Sequence, residues 1–290
     1  MSLRIKAELM LVSICVIWGL SFIVVKDALS YASPLAFIAM RFILAGATST
    51  IVLRPGIRHL TSDALRAGGV LGLCLLGGYV LQVSGLLWTT PSKSAFITAF
   101  SVVLVPVMLA LGGAPLPRSN VVAALAGLSG LYVLLAPSRT AGINRGDLLT
   151  LAGSVSFALY IVFVGRYANR FDFRVLVPVQ LLVVGSGAAL ALPLDSYARV
   201  EWTPRFVAAL AMTAFLATVL AFSVQNWAQR YTPPAHTALI LSLEPVFAAA
   251  GSRLLMSERL GARFIAGSIL MLCGILISEV WGGRPAPIEV

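Results

Sequence analysis

Long apolar runs separated by short polar connections dominate this chain. Runs free of Asp, Glu, Lys and Arg cover residues 9–25, 67–92, 94–117, 119–138, 148–165, 175–194 and 206–229. Two further runs, 28–53 and 231–252, are interrupted once each, by Arg41 and by Glu244. A last apolar run follows Arg263. Because a helix needs about 20 mostly apolar residues to cross a bilayer, the pattern predicts ten transmembrane helices.

The predicted fold class is an all-α integral membrane protein. The ten helices are expected at residues 8–29, 34–53, 65–88, 93–113, 118–136, 147–167, 174–193, 205–230, 234–255 and 261–281. The runs are continuously apolar rather than alternating, which excludes a β-barrel, and helices satisfy their own backbone groups inside lipid. The first run is too long for a cleaved signal peptide, and no Ala-x-Ala site follows it.

Composition narrows the class of protein in the same direction. Hydrophobic residues make up 59% of the chain and charged residues only 11%, whereas a soluble domain carries about 25% charged residues. This balance excludes a cytosolic enzyme, a nucleic-acid-binding module and a disordered chain. The net charge of +10 comes from Arg residues scattered between the apolar runs, as expected for loops that face anionic lipid.

Charge asymmetry gives a weak orientation. With the N-terminus inside the cell, the cytoplasmic segments carry eleven Lys and Arg residues and the opposite segments carry nine. The positive-inside rule therefore favours cytoplasmic termini by a slight margin. Three cysteines, Cys15, Cys74 and Cys273, lie singly inside apolar runs, so neither a disulfide framework nor a metal site is expected.

The two halves of the chain resemble each other. The sequence of residues 94–107 resembles that of residues 233–246, and Pro106 aligns with Pro245 at a shift of 139 residues. We therefore predict a first repeat at 1–140, with helices 1–5, and a second at 141–290, with helices 6–10. Because five is odd, two repeats of one fold must be inverted in the membrane, an arrangement typical of secondary transporters that bind substrate near the midplane.

Several short motifs resemble a known family. They are Trp18-Gly19, Phe22, Lys26, Pro34 and Arg41 in the first half, and Gly146-Asp147, Leu243-Glu244-Pro245-Val246, Ser257-Glu258-Arg259-Leu260 and Gly267 in the second. Together they resemble the drug/metabolite transporter superfamily in its EamA-type branch, and within it most of all the aromatic amino acid exporters. The resemblance implies ten helices, cytoplasmic termini, a bacterial inner membrane and export of amino acids or other small metabolites.

The first half departs from this pattern at two places. It has Val105-Pro106 where the second half has Glu244-Pro245, and Gly113-Ala114-Pro115-Leu116 where a second Glu-Arg-Leu would be expected. Any role of Glu244 is therefore not shared between the halves.

Two charges lie deep in predicted spans. Inserting an ionisable side chain at that depth of the membrane costs about 2.5–3.5 kcal/mol of free energy, so the side chain should face protein or water and have a partner. We interpret Arg41 as a structural charge that snorkels or bonds to backbone carbonyls. Glu244, Pro106 and Pro245 are predicted to serve gating or coupling, because prolines at matching positions break helices near transport sites. The alternatives are that Glu244 has a structural role only and that the two prolines bend their helices for packing, without binding a ligand.

The resemblance implies that six helices, the first, third, fourth, sixth, eighth and ninth, surround a central cavity. The candidate cavity residues on them are Trp18, Phe22, Tyr79, Gln82, Ser94, Thr98, Ser101, Phe157, Tyr160, Phe163, Gln225, His236 and Ser242. An uncharged, aromatic-rich cavity would suit a zwitterion with an apolar side chain. For any single Ser or Thr, bonding between helices is the alternative. Lys26, Asp27 and His236 are expected at solvated membrane edges.

The sequence thus predicts a secondary transporter that exports amino acids, aromatic ones foremost, by alternating access. Its expected partners are a small-molecule substrate and the lipid bilayer, without nucleic acid, cofactor or metal, and its oligomeric state stays open, a monomer included. No Walker A motif indicates direct use of ATP, and the protein is not expected to be an enzyme.

Three other functions stay open as alternatives. Export of cationic drugs or other metabolites would need a buried carboxylate, and only Glu244 lies deep. A membrane-embedded enzyme would need clustered Asp, Glu or His, but the two histidines, His59 and His236, are far apart in sequence. A channel would need a charged or carbonyl-lined filter, which no motif suggests.

Overall fold

The structure, a computed structural model, describes residues 2–56, 59–114, 118–135, 143–195 and 198–281. Across these residues the fold is helical, and an isolated antiparallel bridge joins Ala32 to Val200. The predicted boundary between the repeats, at residue 140, lies outside the described residues.

Thirteen α-helices follow one another within the described residues. They are α1 (Leu3–Ala28), α2 (Pro34–Leu53), α3 (Ser62–Gly85), α4 (Pro91–Ala99), α5 (Ser101–Leu111), α6 (Arg118–Leu135), α7 (Arg145–Tyr167), α8 (Phe173–Ala191), α9 (Pro204–Ala214), α10 (Ala221–Ala228), α11 (Pro234–Leu241), α12 (Glu244–Leu255) and α13 (Ala262–Trp281). A short 3₁₀ turn, Leu192–Leu194, extends α8, and a π-helical segment, Phe215–Leu220, joins α9 to α10.

Seven helical stretches in the described part of the chain are long and apolar enough to cross a membrane. They are Leu3–Ala28, Pro34–Leu53, Ser62–Gly85, Pro91–Leu111, Arg145–Tyr167, Phe173–Leu194 and Pro204–Ala228. The all-α membrane fold is therefore confirmed. The count of ten spans and their inverted arrangement stay predictions.

Three spans predicted as continuous helices are interrupted. The span predicted at 93–113 is divided into α4 and α5, and the span predicted at 234–255 into α11 and α12. The span predicted at 205–230 contains the π-helical segment. The mostly apolar composition of the three runs predicted their length but not these interruptions, because lipid burial sets span length and not local helix geometry.

Local signals explain where several helices begin. The Thr90 and Thr203 hydroxyls accept hydrogen bonds from the backbone amides of Lys93 and Phe206, and each threonine precedes a proline. A side-chain acceptor cap followed by proline at the first helical position favours a helix start. At the start of α7, Asn144 and Asp147 form a reciprocal capping box, which satisfies two orphan amides at once.

Helices from the two predicted repeats pack directly on one another. α2 packs on α8, α3 packs on α7 and α8, and α1 packs on α12, whereas α6 and α13 mainly contact each other. Close approach depends on glycine: a Cβ on Gly72 would lie 2.5 Å from the Val183 Cβ, and one on Gly19 would lie 2.6 Å from the Glu244 carbonyl oxygen. The main core therefore forms between the repeats rather than within each one.

Candidate functional site

A cavity lies where α1, α3, α7 and α10 meet the interrupted helices. Its volume is about 80 Å³, well below the roughly 300–1,000 Å³ of pockets that enclose drug-sized ligands. The structure brings twelve of the predicted site residues to its lining, namely Trp18, Phe22, Arg41, Tyr79, Gln82, Thr98, Ser101, Phe157, Tyr160, Gln225, Glu244 and Pro245. The site is therefore assembled in a contracted form.

Five predicted site residues lie outside this lining. The Ser94 hydroxyl is 3.4 Å from the Thr150 hydroxyl on α7, so it joins two helices. Phe163 stacks on Tyr167, with ring centroids 5.9 Å apart. His236 contacts Glu8 near the start of α1. The other two are Ser242, which is buried beside a helix interruption, and Pro106, which lies inside α5. Sequence alone could not separate the cavity-facing side of each helix from its packed sides.

Aromatic rings form the cavity wall around Tyr79. Its ring centroid lies 4.7 Å from that of Phe42, 5.4 Å from Phe157 and 6.2 Å from Phe222. Trp18 extends the cluster, with its ring 5.4 Å from Phe222. Phe222, which lines the cavity, and Phe42, which contacts Tyr79, are not among the residues predicted from the sequence. Rings from both predicted repeats thus meet at one surface.

Tyr160 has a defined hydroxyl partner in this wall. Asn226 on α10 donates its side-chain amide to the Tyr160 hydroxyl oxygen over 3.0 Å. A buried tyrosine needs such a partner, so this bond orients the ring against the cavity.

Arg41 is buried beside the aromatic cluster. Its exposed fraction is 2%, and its guanidinium carbon lies 5.1 Å from the ring centroids of both Phe42 and Tyr79. Nε donates to the Thr218 hydroxyl over 2.8 Å, and Nη2 donates to the Ala217 carbonyl over 3.4 Å. The backbone-carbonyl bond is of the predicted kind, but Arg41 also lines the cavity, which the sequence did not indicate.

The π-helical segment supplies the carbonyl that Arg41 uses. Trp18 Nε1 donates to the same Ala217 oxygen over 2.8 Å. A π-helical turn displaces backbone groups from the regular ladder and occurs frequently at functional sites. The run Phe215–Leu220 is apolar apart from Thr218, so the hydrophobic pattern does not mark the π-helical segment.

The two interruptions in α4–α5 and α11–α12 border the cavity. At Phe100 and at Leu243 the backbone amide donates to the residue three positions earlier, over 3.1 Å in each case. Cavity-lining residues flank both interruptions: Ala99, Ser101 and Val102 at the first, and Leu241, Glu244 and Pro245 at the second. The first interruption lies at Phe100 rather than at Pro106, where a proline-induced bend was expected.

Glu244 begins α12 and lines the cavity. Among the described residues, its carboxylate takes part in no ion pair and no side-chain hydrogen bond. Gln225, 1% exposed, lines the same cavity, and its Oε1 has no hydrogen-bond partner in the described structure. The cavity therefore contains a buried cation, a carboxylate and an unused amide oxygen.

Lys26 and Asp27, which were expected at a solvated membrane edge, both have partners on neighbouring segments. Lys26 is half-buried and donates its ammonium to the carbonyl oxygens of Leu86, Leu87 and Thr89 beyond the end of α3. Asp27 forms a two-bond ion pair with Arg205, with both distances 2.8 Å. The end of α1 is thus tied to neighbouring helices.

Membrane-length helices around an internal cavity define a multi-pass membrane protein. The family model of the EamA-like transporter family matches this chain twice, over residues 5–136 and 144–279. The chain belongs to this family, and the protein is a membrane transporter. The sequence motifs indicated a resemblance to the EamA-type branch of the drug/metabolite transporters, and this resemblance is therefore confirmed at the level of the family.

Individual relatives cover nearly the whole chain. An uncharacterized transporter of Archaeoglobus fulgidus is 32% identical, over 94% of this chain and 86% of the relative. The uncharacterized transporter YvbV of Bacillus subtilis is 26% identical, over 94% and 92%. A crystal structure with 18% sequence identity covers 97% of this chain and 99% of the solved chain, with a TM-score of 0.74, which shows the fold alone.

Proposed function

We propose that this protein exports amino acids, aromatic ones foremost, across a bacterial inner membrane as a secondary transporter that works by alternating access. In this proposal ten spans form two inverted repeats, at 1–140 and 141–290, and both termini are cytoplasmic. The substrate binds in the cavity and contacts both repeats.

The aromatic wall of the cavity carries this proposal. Trp18 and Tyr79 come from the first predicted repeat, and Phe157, Tyr160 and Phe222 from the second. Aromatic side chains prefer offset or edge-to-face contacts with other rings, so this wall suits an aromatic amino acid. Since substrate sites of inverted-repeat transporters lie at the repeat interface, the position of the wall between the halves supports the same reading.

Two further observations support alternating access. The family model matches twice in succession, and one interrupted helix from each half borders the cavity. Interrupted helices at corresponding positions of two halves point to a transport site. The cavity of about 80 Å³ must enlarge before it admits an aromatic amino acid, so transport requires helix movement.

Flux through proteoliposomes tests the proposal. We expect labelled tryptophan and phenylalanine to move down their gradients faster than through empty liposomes, in a panel run with and without a pH gradient. Phe157→Ala should lower this flux, whereas Phe163→Ala, on the same helix but outside the cavity, should leave it near the wild-type value. Flux of a nucleoside or another metabolite without any amino acid flux would overturn the substrate assignment.

Export of organic cations is the second candidate. The carboxylate of Glu244 in the cavity favours it, because a cation needs a buried counter-charge. The guanidinium of Arg41 lines the same cavity and opposes it. A tetraalkylammonium probe in the same panel separates the two functions.

A further inference from the structure

We propose that Arg41 and Glu244 form the two ends of a zwitterion site, with the substrate carboxylate at Arg41 and the substrate ammonium at Glu244. This inference rests on the proposed function and deepens it, because it assigns the orientation of the substrate and the residues that select its charges. Both side chains line one cavity, and neither belongs to an ion pair among the described residues.

The partners of Arg41 leave its charge uncompensated. The two groups that accept hydrogen bonds from its guanidinium in the described structure, the Thr218 hydroxyl and the Ala217 carbonyl, are neutral. A guanidinium carries five N–H donors in a planar fork that matches the two oxygens of a carboxylate. Because a buried charge is costly unless it is paired, a ligand carboxylate is the partner that this environment lacks.

The contacts around Arg41 hold the guanidinium in place. The ring faces of Phe42 and Tyr79 lie 5.1 Å away, and Thr218 Oγ1 in turn donates to the Thr213 carbonyl over 2.8 Å. A guanidinium that is fixed before binding loses less freedom when a carboxylate arrives. Arg41 is therefore preorganised as a binding group, which a merely tolerated intramembrane charge would not require.

Two hydrogen-bond acceptors line the same cavity as Arg41. Glu244 presents a carboxylate to the cavity, and Gln225 presents an amide oxygen that is buried without a partner. The Gln225 amide nitrogen donates to Gln229 Oε1 over 3.1 Å, which orients the oxygen. An ammonium group has three N–H donors and no acceptor, so it can satisfy both groups at once.

Charge balance selects a zwitterion over an ion. With Glu244 ionised, the charges of the Arg41 and Glu244 side chains sum to zero, and a bound zwitterion preserves that sum. A cation or an anion would add an unbalanced charge inside a medium of low dielectric constant, where charges interact strongly. Trp18, Tyr79 and Phe222 line the same cavity and would then contact the substrate side chain.

One-ended analogues of tryptophan test the two ends separately. Tryptamine lacks the carboxylate and indole-3-propionate lacks the ammonium. In wild-type proteoliposomes we expect tryptophan flux to exceed that of each analogue by about ten- to hundredfold, the range for a lost hydrogen bond to a charged group. Equal flux of all three compounds through the wild-type protein would overturn the inference while leaving amino acid transport intact.

Two variants should change selectivity in opposite directions. Arg41→Gln should remove the preference for tryptophan over tryptamine and keep the preference over indole-3-propionate, whereas Glu244→Gln should do the reverse. Arg205→Gln and Glu8→Gln, whose side chains lie outside the cavity lining, are matched controls that should keep both ratios. Unchanged ratios in both cavity variants, or an equal fall in flux of all three compounds, would show that the charges are structural.

Separate controls distinguish a folding defect and a failure of the proposed function from a failure of this inference. Each variant must elute as a monodisperse peak in detergent before its flux is read. Should Arg41→Gln fail this requirement, the wild-type ratios and those of Glu244→Gln still decide the inference. Absence of amino acid flux in the wild-type protein, with flux of another solute, would remove both the proposed function and this site.

Discussion

The two ends of α1 are held by contacts of different kinds. Near its last turn, Lys26 contacts Thr89, whose hydroxyl donates to Asp147, the residue that also pairs with Lys93. We call this set the Asp147 end. Near the first turns, Glu8 contacts His236, and we call this pair the Glu8 end. Lys26 and Glu8 are about 27 Å apart at the helical rise of 1.5 Å per residue.

The Asp147 end is buried and joined through the backbone. The Asp147 side chain is 0% exposed and accepts from Lys93 Nζ at 2.6 Å, from the Thr89 hydroxyl at 2.7 Å and from the Asn144 amide at 2.9 Å. A Cβ on Gly146 would lie 2.2 Å from the Gly85 carbonyl oxygen. The backbone at Gly146 therefore contacts the backbone at Gly85 beside a buried ion pair.

The Glu8 end is held by side chains that water reaches. The Glu8 side chain is 28% exposed, and its two partners are His236, at 3.1 Å, and the exposed Arg4, at 2.8 Å. Beside this pair, a Cβ on Gly165 would meet the side chain of Pro234, 2.2 Å from its Cγ. Separating the contacting residues should therefore cost less free energy at the Glu8 end than at the Asp147 end. We expect a transporter that opens one end at a time to open more readily at the Glu8 end.

The largest expected effect is that of Asp147→Asn. Breaking a buried ion pair costs about 3–5 kcal/mol, because the remaining charge loses its compensation. We expect a loss of at least about 3 kcal/mol in the free energy of unfolding, measured by denaturation in mixed micelles. Asp27→Asn, which disrupts the largely exposed pair with Arg205, is the matched control and should cost far less. Equal losses would contradict the distinction between buried and exposed pairs.

An intermediate effect is expected from added methyl groups. Gly146→Ala should destabilise the protein by about 1–3 kcal/mol, the cost of overpacking, because backbone atoms cannot yield. Gly165→Ala meets a proline side chain, which can shift with α11, and should cost less. Melting temperatures of the two variants in one detergent measure the difference, and a larger loss for Gly165→Ala would invert the comparison.

The smallest effect is expected from Glu8→Gln. Partly exposed pairs contribute about 0–1 kcal/mol, so the melting temperature should change little. The remaining difference from wild type should shrink further at high salt, because salt screens exposed charges. Asp147→Asn should keep most of its effect under the same conditions. A Glu8→Gln loss as large as that of Asp147→Asn would show that both ends are tied equally.

Much of the candidate site could be named from the sequence, because its residue types are unusual where they occur. Arg41 and Glu244 are single charges inside apolar runs, and the aromatic and amide residues stand out against Leu, Val and Ala. Phe42 and Phe222 were not predicted, because the apolar pattern does not show which of the many aromatic rings on these helices face the cavity. The side of a helix that faces a cavity depends on its neighbours, and the sequence therefore could not show that Ser94 and His236 lie outside the cavity lining.

The sequence by itself determined the all-α membrane class, the approximate helix positions and the family. These follow from local properties: the length of each apolar run, and caps such as Thr90-Pro91 and Asn144–Asp147. Only the tertiary structure decided the interruptions at Phe100 and Leu243, the π-helical segment and the meeting of Arg41 with Ala217. Those features depend on contacts between residues far apart in the chain, and a hydrophobic pattern specifies which side chains avoid water but not which of them touch.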